Sequence, residues 1–121
     1  MFKRVDDVFM NVDEIDKAVA FYRDILGLPV KYESPDWVEL DAGNVIVALR
    51  RYGSGPEGRP ELRVGEGATI VFEVDNIRAV KSQLEDRGVK FIGDVFEYGS
   101  VRLATFEDLN GNVLQIYEHI E

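Results

Sequence analysis

The sequence predicts an α+β fold built from two modules of one plan, each strand–helix–strand–strand–strand. Three observations lead there. Val12-Asp13-Glu14-Ile15 recurs as Val74-Asp75-Asn76-Ile77, 62 positions on, and Gly43-Asn44-Val45 recurs as Gly111-Asn112-Val113, 68 positions on, in the same order. Self-similarity of this kind outranks any single motif as a fold clue. In both halves an alternating apolar stretch gives way to helical spacing and then to further alternation. At 121 residues, 45% hydrophobic and 31% charged, the chain is sized for one domain with a real core. The expected organisation is a single domain over 1–121, with module one at 1–50, a linker at 51–67 and module two at 68–121.

Residues 4–12 place Val5, Val8, Met10 and Val12 between more polar neighbours, which suits a strand with one face on a core. Asp13 stands where a helix N-cap is wanted. Ile15, Val19, Tyr22 and Leu26, with Ala18 and Ile25, follow at helical spacing, and Gly27 supplies the stop. Strands are expected near 28–33, 36–41 and 44–50, with Gly43-Asn44 as the turn between the last two. Module two repeats this: a strand at 68–74, Asn76 as cap, Ile77, Val80 and Leu84 as the buried stripe, and Gly88 as the end. Strands near 89–93, 101–107 and 112–118 complete it. Asn110-Gly111 reads as a type I′ hairpin turn, which needs φ > 0 at both central residues. Between the modules, 51–67 holds five glycines and two prolines. It reads either as a plain linker or as one that also covers a cavity mouth, helped by Tyr52 and Arg50-Arg51.

Fourteen Lys and Arg against 23 Asp and Glu give a formal net charge of −9. Such a field repels phosphate backbones and anionic lipid surfaces, so neither nucleic acid nor membrane is an expected partner. There are no cysteines and one histidine, His119. Disulfides, thiolate metal sites and a cysteine nucleophile are thereby excluded. With no basic-then-apolar leader and no long apolar run, a soluble cytoplasmic protein is the expectation.

The entry into the first helix through Val-Asp-x-Ile, followed by Ala20-Phe21-Tyr22-Arg23-Asp24-Ile25-Leu26-Gly27-Leu28, resembles the opening of the vicinal oxygen chelate superfamily. That group contains glyoxalase I, the bleomycin-resistance proteins and the extradiol dioxygenases. The stretch Ala104 to Ile116 resembles the same family's Asp-Pro-Asp-Gly-Asn ending, with Leu109 in place of Pro and Asn110 in place of the second Asp. The resemblance covers nearly the whole chain in order. It implies paired βαβββ modules forming a curved mixed sheet, often assembled as a homodimer. It says less about activity, because one fold carries many functions.

In the metal-dependent members, first-strand and fourth-strand side chains, usually His and Glu, hold a divalent ion. Motif matching puts those positions at Asp7, Val47, Thr69 and Gln115. One carboxylate, one amide and one hydroxyl beside a valine make a poor ligand set for zinc, iron or an oxygen-seeking cation. No metal, cofactor or catalytic residue is therefore expected. Strand alternation assigns Asp7, Phe9 and Asn11 to the face away from the helix, with Val45, Val47 and Leu49 on the fourth strand. In module two the same face should hold Thr69, Val71 and Glu73, then Val113, Gln115 and Tyr117. This face is apolar with a few polar points, the mixture that ligand pockets show. It is equally what a dimer interface or a self-filled interior would present. Trp37, after Pro35 and Asp36 in a turn, is the aromatic with least structural excuse and a candidate ligand or interface contact. The leading expectation is a metal-independent small-molecule binding protein that sequesters a drug or metabolite, with Asp7, Phe9, Trp37, Val47, Thr69, Glu73, Gln115 and Tyr117 at its site. The alternatives are a metal-dependent lyase, isomerase or dioxygenase with an unusual ligand set, and a non-catalytic dimerising module.

Overall fold

A computed structural model describes residues 1–120. These residues form β1 (Asp7–Val12), α1 (Ile15–Ala20), β2 (Val30–Glu33), β3 (Trp37–Asp41) and β4 (Ile46–Arg51), then β5 (Ile70–Glu73), α2 (Ile77–Asp86), β6 (Phe91–Tyr98), β7 (Val101–Glu107) and β8 (Val113–His119). The chain divides into two compact units, Met1–Gly67 and the remainder from Ala68. The glycine-rich segment after β4 belongs to the first unit. The backbone ladders form two four-stranded mixed sheets, one per unit, in the orders β1-β4-β3-β2 and β5-β8-β7-β6. In each, one outer strand runs parallel to its neighbour and the other pairings are antiparallel.

The first core follows from register. Val8 lies beside Val47 and Met10 beside Leu49, while across β3 Leu40 faces Val47 and Val38 faces Leu49. All but half-buried Val8 are essentially sealed from water, together with Ala18, Val19, Phe21 and Tyr22 from the helical segment above them. Burying aliphatic side chains this fully stabilises by roughly 1.5–3 kcal/mol each. The helix start differs from expectation: Glu14, not Asp13, occupies the cap position. After Ala20 the helix widens into a π-helical turn, Phe21–Ile25, in which the Leu26 N–H donates to the Phe21 carbonyl at 3.0 Å. That extra residue in the turn lets adjacent Phe21 and Tyr22 both point inward, leaving Leu26 only half-buried. Gly27, at φ 81°, ends the segment.

In the second unit Asn76 caps α2 through its side-chain oxygen, which accepts from the Ala79 N–H at 3.1 Å. Ile77 and Leu84 are buried, and Gly88 at φ 93° ends the helix. The sheet core holds Leu114, Ile116, Ala104 and Phe106. β6 runs to Tyr98, well beyond the expected stop at 93. Its pairing shifts between Ile92 and Phe96, around Gly93 at φ 75°, so a bulge absorbs the irregularity and the strand continues. The Asn110-Gly111 turn is not type I′. Gly111 alone has positive φ (80°), its N–H donates to the Asp108 carbonyl at 3.3 Å, and the Asp108 carboxylate accepts the Asn110 N–H at 2.8 Å. An aspartate able to hold the turn from inside removes the need for a left-handed asparagine. No helix among the described residues is long and apolar enough to cross a membrane.

Candidate ligand site on the first sheet

The connection from β3 to β4 decides which side chains reach the face away from α1. Asp41 pairs with Ile46, leaving four residues between them, whereas Glu107 pairs with Val113, leaving five. The Gly-Asn-Val triplets therefore do not occupy equivalent places. Val8 pairs with Val47 as Ile70 pairs with Leu114, and Phe9 pairs with Ala48 as Val71 pairs with Gln115. The partner of Gln115 in module one is thus Ala48, and Val47 lies in the helix-packed core at 1% exposure. The same correction moves Leu49 into the core and brings Arg50 out. A shift of one residue exchanges the faces of a strand, and the matching triplets hid it. The available signal was Arg50 itself, since a guanidinium cannot share the sealed layer with Val47 and Leu49.

The open face of the first sheet therefore reads in three rows: Asp7, Ile46 and Asp41; then Phe9, Ala48 and Glu39; then Asn11, Arg50 and Trp37. Trp37 opens β3 rather than lying in a turn, and its ring centroid is 5.3 Å from that of Phe9. The Trp37 indole N–H donates to Glu39 at 3.0 Å. Fully covered Ala48 keeps the floor of this row low. Arg50 stacks its guanidinium 4.6 Å from the Phe9 ring and donates from Nε to the Asn11 side-chain oxygen at 3.2 Å. Asn11, only 4% exposed, donates in turn to the Leu62 carbonyl at 2.6 Å. Leu62 belongs to the glycine-rich segment, which thus runs back over β1 as a strap. Beneath it lies a cavity of about 360 Å³. Asp7, Phe9, Asn11, Arg50, Glu61 and Leu62 are among its walls. The sequence offers Asn11 for this face, and Arg50 and the 51–67 segment for a cavity mouth, without naming them as ligand contacts; Glu39 is not anticipated at all.

Asp7 is half-buried, and this burial pushes its carboxyl above the usual carboxylate range. A hydrogen bond to Asp6 and the negative charges of Asp6 and Glu39 push it the same way. Asp6 is held below its usual range by that hydrogen bond and by Arg4.

The other expected residues belong to the second unit. Thr69 is exposed just before β5, and Glu73 is exposed opposite Tyr117. Gln115 donates to the Thr105 hydroxyl at 3.2 Å. The Tyr117 ring meets the ring of exposed His119 edge-on at 5.2 Å. By register Val71, Gln115, Thr105 and Ile92 share one row of that sheet face, and Glu73, Tyr117, Leu103 and Phe96 the next. At the family's metal positions, the corrected matching gives Asp7, Ala48, Thr69 and Gln115: one carboxylate, one methyl, one hydroxyl and one amide. Among the described residues no three His, Cys, Asp or Glu side chains gather where they could hold a metal ion. The donor set does not fit the family's divalent metal.

Two mixed sheets, each made by a βαβββ run with its helix on one face, define an α+β protein of the paired-module class. The chain belongs to the Glyoxalase/Bleomycin resistance protein/Dioxygenase superfamily, whose family model matches residues 4–116. It is 24% identical over 124 residues to the uncharacterized protein YetH of Bacillus subtilis (strain 168), covering 98% of this chain and 100% of YetH. Among solved structures it is similar to TnmS3, an antibiotic binding protein from Streptomyces sp. CB03234, with a TM-score of 0.79 and 22% identity over 98% of this chain and 97% of TnmS3. It is equally similar to a lactoylglutathione lyase from Agrobacterium tumefaciens, with a TM-score of 0.80 and 21% identity over 98% and 95% of the two chains. At these identities the structural likenesses speak to fold alone.

Proposed function

We propose that this protein binds a small, flat organic molecule on the open face of its first sheet, without a metal ion, and sequesters it rather than transforming it. The observation that carries the reading is the cavity of about 360 Å³ under the strap, with the Phe9–Trp37 pair beside it. Its size and its mixture of aromatic wall and a few polar groups suit a compact ligand. The donor set at the family's metal positions argues against a bound divalent ion. A sequestering role is consistent with that of TnmS3, an antibiotic binding protein of similar fold.

The working form in this proposal is a cytoplasmic homodimer. Val71, Ile92 and Phe96 are 44%, 56% and 50% exposed on one face of the second sheet, which is apolar surface suited to self-association. Trp37 is the only tryptophan, so its fluorescence reports directly on the site. Titration of a panel of planar aromatic compounds should quench or shift that emission, and Phe9→Ala should weaken binding roughly tenfold through the lost ring contact. Affinity should be unchanged by a chelator. Failure of every compound to bind, or one tightly held metal per chain by elemental analysis, overturns the reading.

A further inference from the structure

The Arg50 guanidinium is enclosed on several sides by its own chain. The Phe9 ring covers one side at 4.6 Å, and Asn11 accepts from Nε at 3.2 Å. Gly55 comes so near that a methyl group there would lie 3.3 Å from the guanidinium carbon. A further contact is the Glu61 carboxylate, one oxygen of which lies 3.5 Å from an Arg50 terminal nitrogen and accepts the Gly53 N–H at 2.9 Å. A guanidinium and a backbone N–H converging on one carboxylate oxygen make an anion-binding position. Here the occupant comes from the strap.

We propose that Arg50 and the Gly53 N–H form a carboxylate-binding position that Glu61 fills in competition with the ligand, and that the ligand is an aromatic acid whose carboxylate takes Glu61's place. The inference rests on the reading of this face as the ligand site and names the chemical class that the site takes. Three features carry it. The Arg50–Glu61 separation is longer than the roughly 2.7–2.9 Å of a well-formed charge-assisted hydrogen bond, so a free carboxylate able to approach the guanidinium edge-on makes the better contact. The two side chains are only 20% and 17% exposed, so Arg50 is costly to leave unpaired and some anion must stand beside it. Glu61 itself sits outside any regular element, and its side chain can leave without disturbing a sheet ladder. Phe9, stacked on Arg50, offers a ring for the ligand's aromatic body. Asp7 and Glu39, further along the same face, repel an anion and so orient the acid with its carboxylate toward Arg50.

The experiment compares benzoate, benzamide and benzylamine, which share a shape and differ in charge, by titration against the unmodified protein, Glu61→Ala, Glu61→Gln and Arg50→Gln. Vacating the position should tighten benzoate binding about tenfold in both Glu61 variants while benzamide moves by less than about twofold. Arg50→Gln should abolish the preference for benzoate over benzamide. Glu61→Gln keeps the size of the side chain and carries the same comparison if the alanine variant is unstable. Benzamide binding with no gain for benzoate in either Glu61 variant overturns this inference alone, as does a preference for benzylamine. Absence of binding by all three compounds to every form overturns it together with the ligand-site reading.

Discussion

Asp7 carries a free-energy cost that depends on pH. Its carboxyl is raised above the usual range in the fold, by burial first and then by Asp6 and Glu39. The folded chain therefore holds that proton more tightly than the unfolded chain does. Its contribution to stability is fully present below the ordinary aspartate range and is lost as pH rises through the raised value. Asp7→Asn, which cannot ionise, should melt higher than the unmodified protein at neutral pH, and the gap should close as the solution is made acidic. Melting curves across pH check this; a gap that widens on acidification reverses the sign. At this scale the sequence was legible wherever strand alternation was anchored by a helix-facing neighbour. Asp7 and Phe9 follow directly from Val8 and Met10. Val47 falls on the wrong face in that reading because its anchor is a repeated triplet rather than a packing partner, and the same slip keeps Arg50 off the open face.

Among the elements, helices and strands announce themselves, and connections do not. Asn76 and Gly88 bracket α2 because capping and left-handed termination depend on one residue each. The π-helical turn and the bulge in β6 depend on how neighbouring side chains pack, which a local pattern does not encode. The β7–β8 turn is a third case. Asp108, 7% exposed, accepts from the Asn110 N–H at 2.8 Å, the Asn112 N–H at 2.9 Å and the Asn112 side-chain amide at 2.8 Å. Removing it strands three donors, two of them on buried Asn112. Asp108→Ala should cost about 2–4 kcal/mol, against about 1 kcal/mol for Asn76→Ala at the exposed helix cap. Denaturant unfolding of the two variants tests the order, and a larger loss at Asn76 would contradict this account of the turn. The strap is legible only as one of two uses for a glycine-rich segment, because its seat is set by Asn11, 51 residues before Leu62, and by an Arg50–Glu61 contact that no local pattern encodes.

For the molecule as a whole, a formal charge of −9 sets what it meets in solution. Unmodified protein should show no retention on DNA or on anionic vesicles at physiological salt, and light scattering should give twice the chain mass if the proposed homodimer forms. A monomer at all concentrations would remove the role given to Val71, Ile92 and Phe96. The family was readable from two motifs covering both ends of the chain, whereas the proposed ligand class rests on how the Arg50, Gly53 and Glu61 groups meet in the fold, which no motif encodes. The shorter bend between β3 and β4 also bears on how relatives are to be compared. An alignment pinned on the Gly-Asn doublet of each half transfers binding labels to the wrong side of β4 in any homologue that shares this bend. Divergence at Ala48 or Arg50 would then be dismissed as drift, and ordinary interior variation at Val47 or Leu49 mistaken for altered specificity.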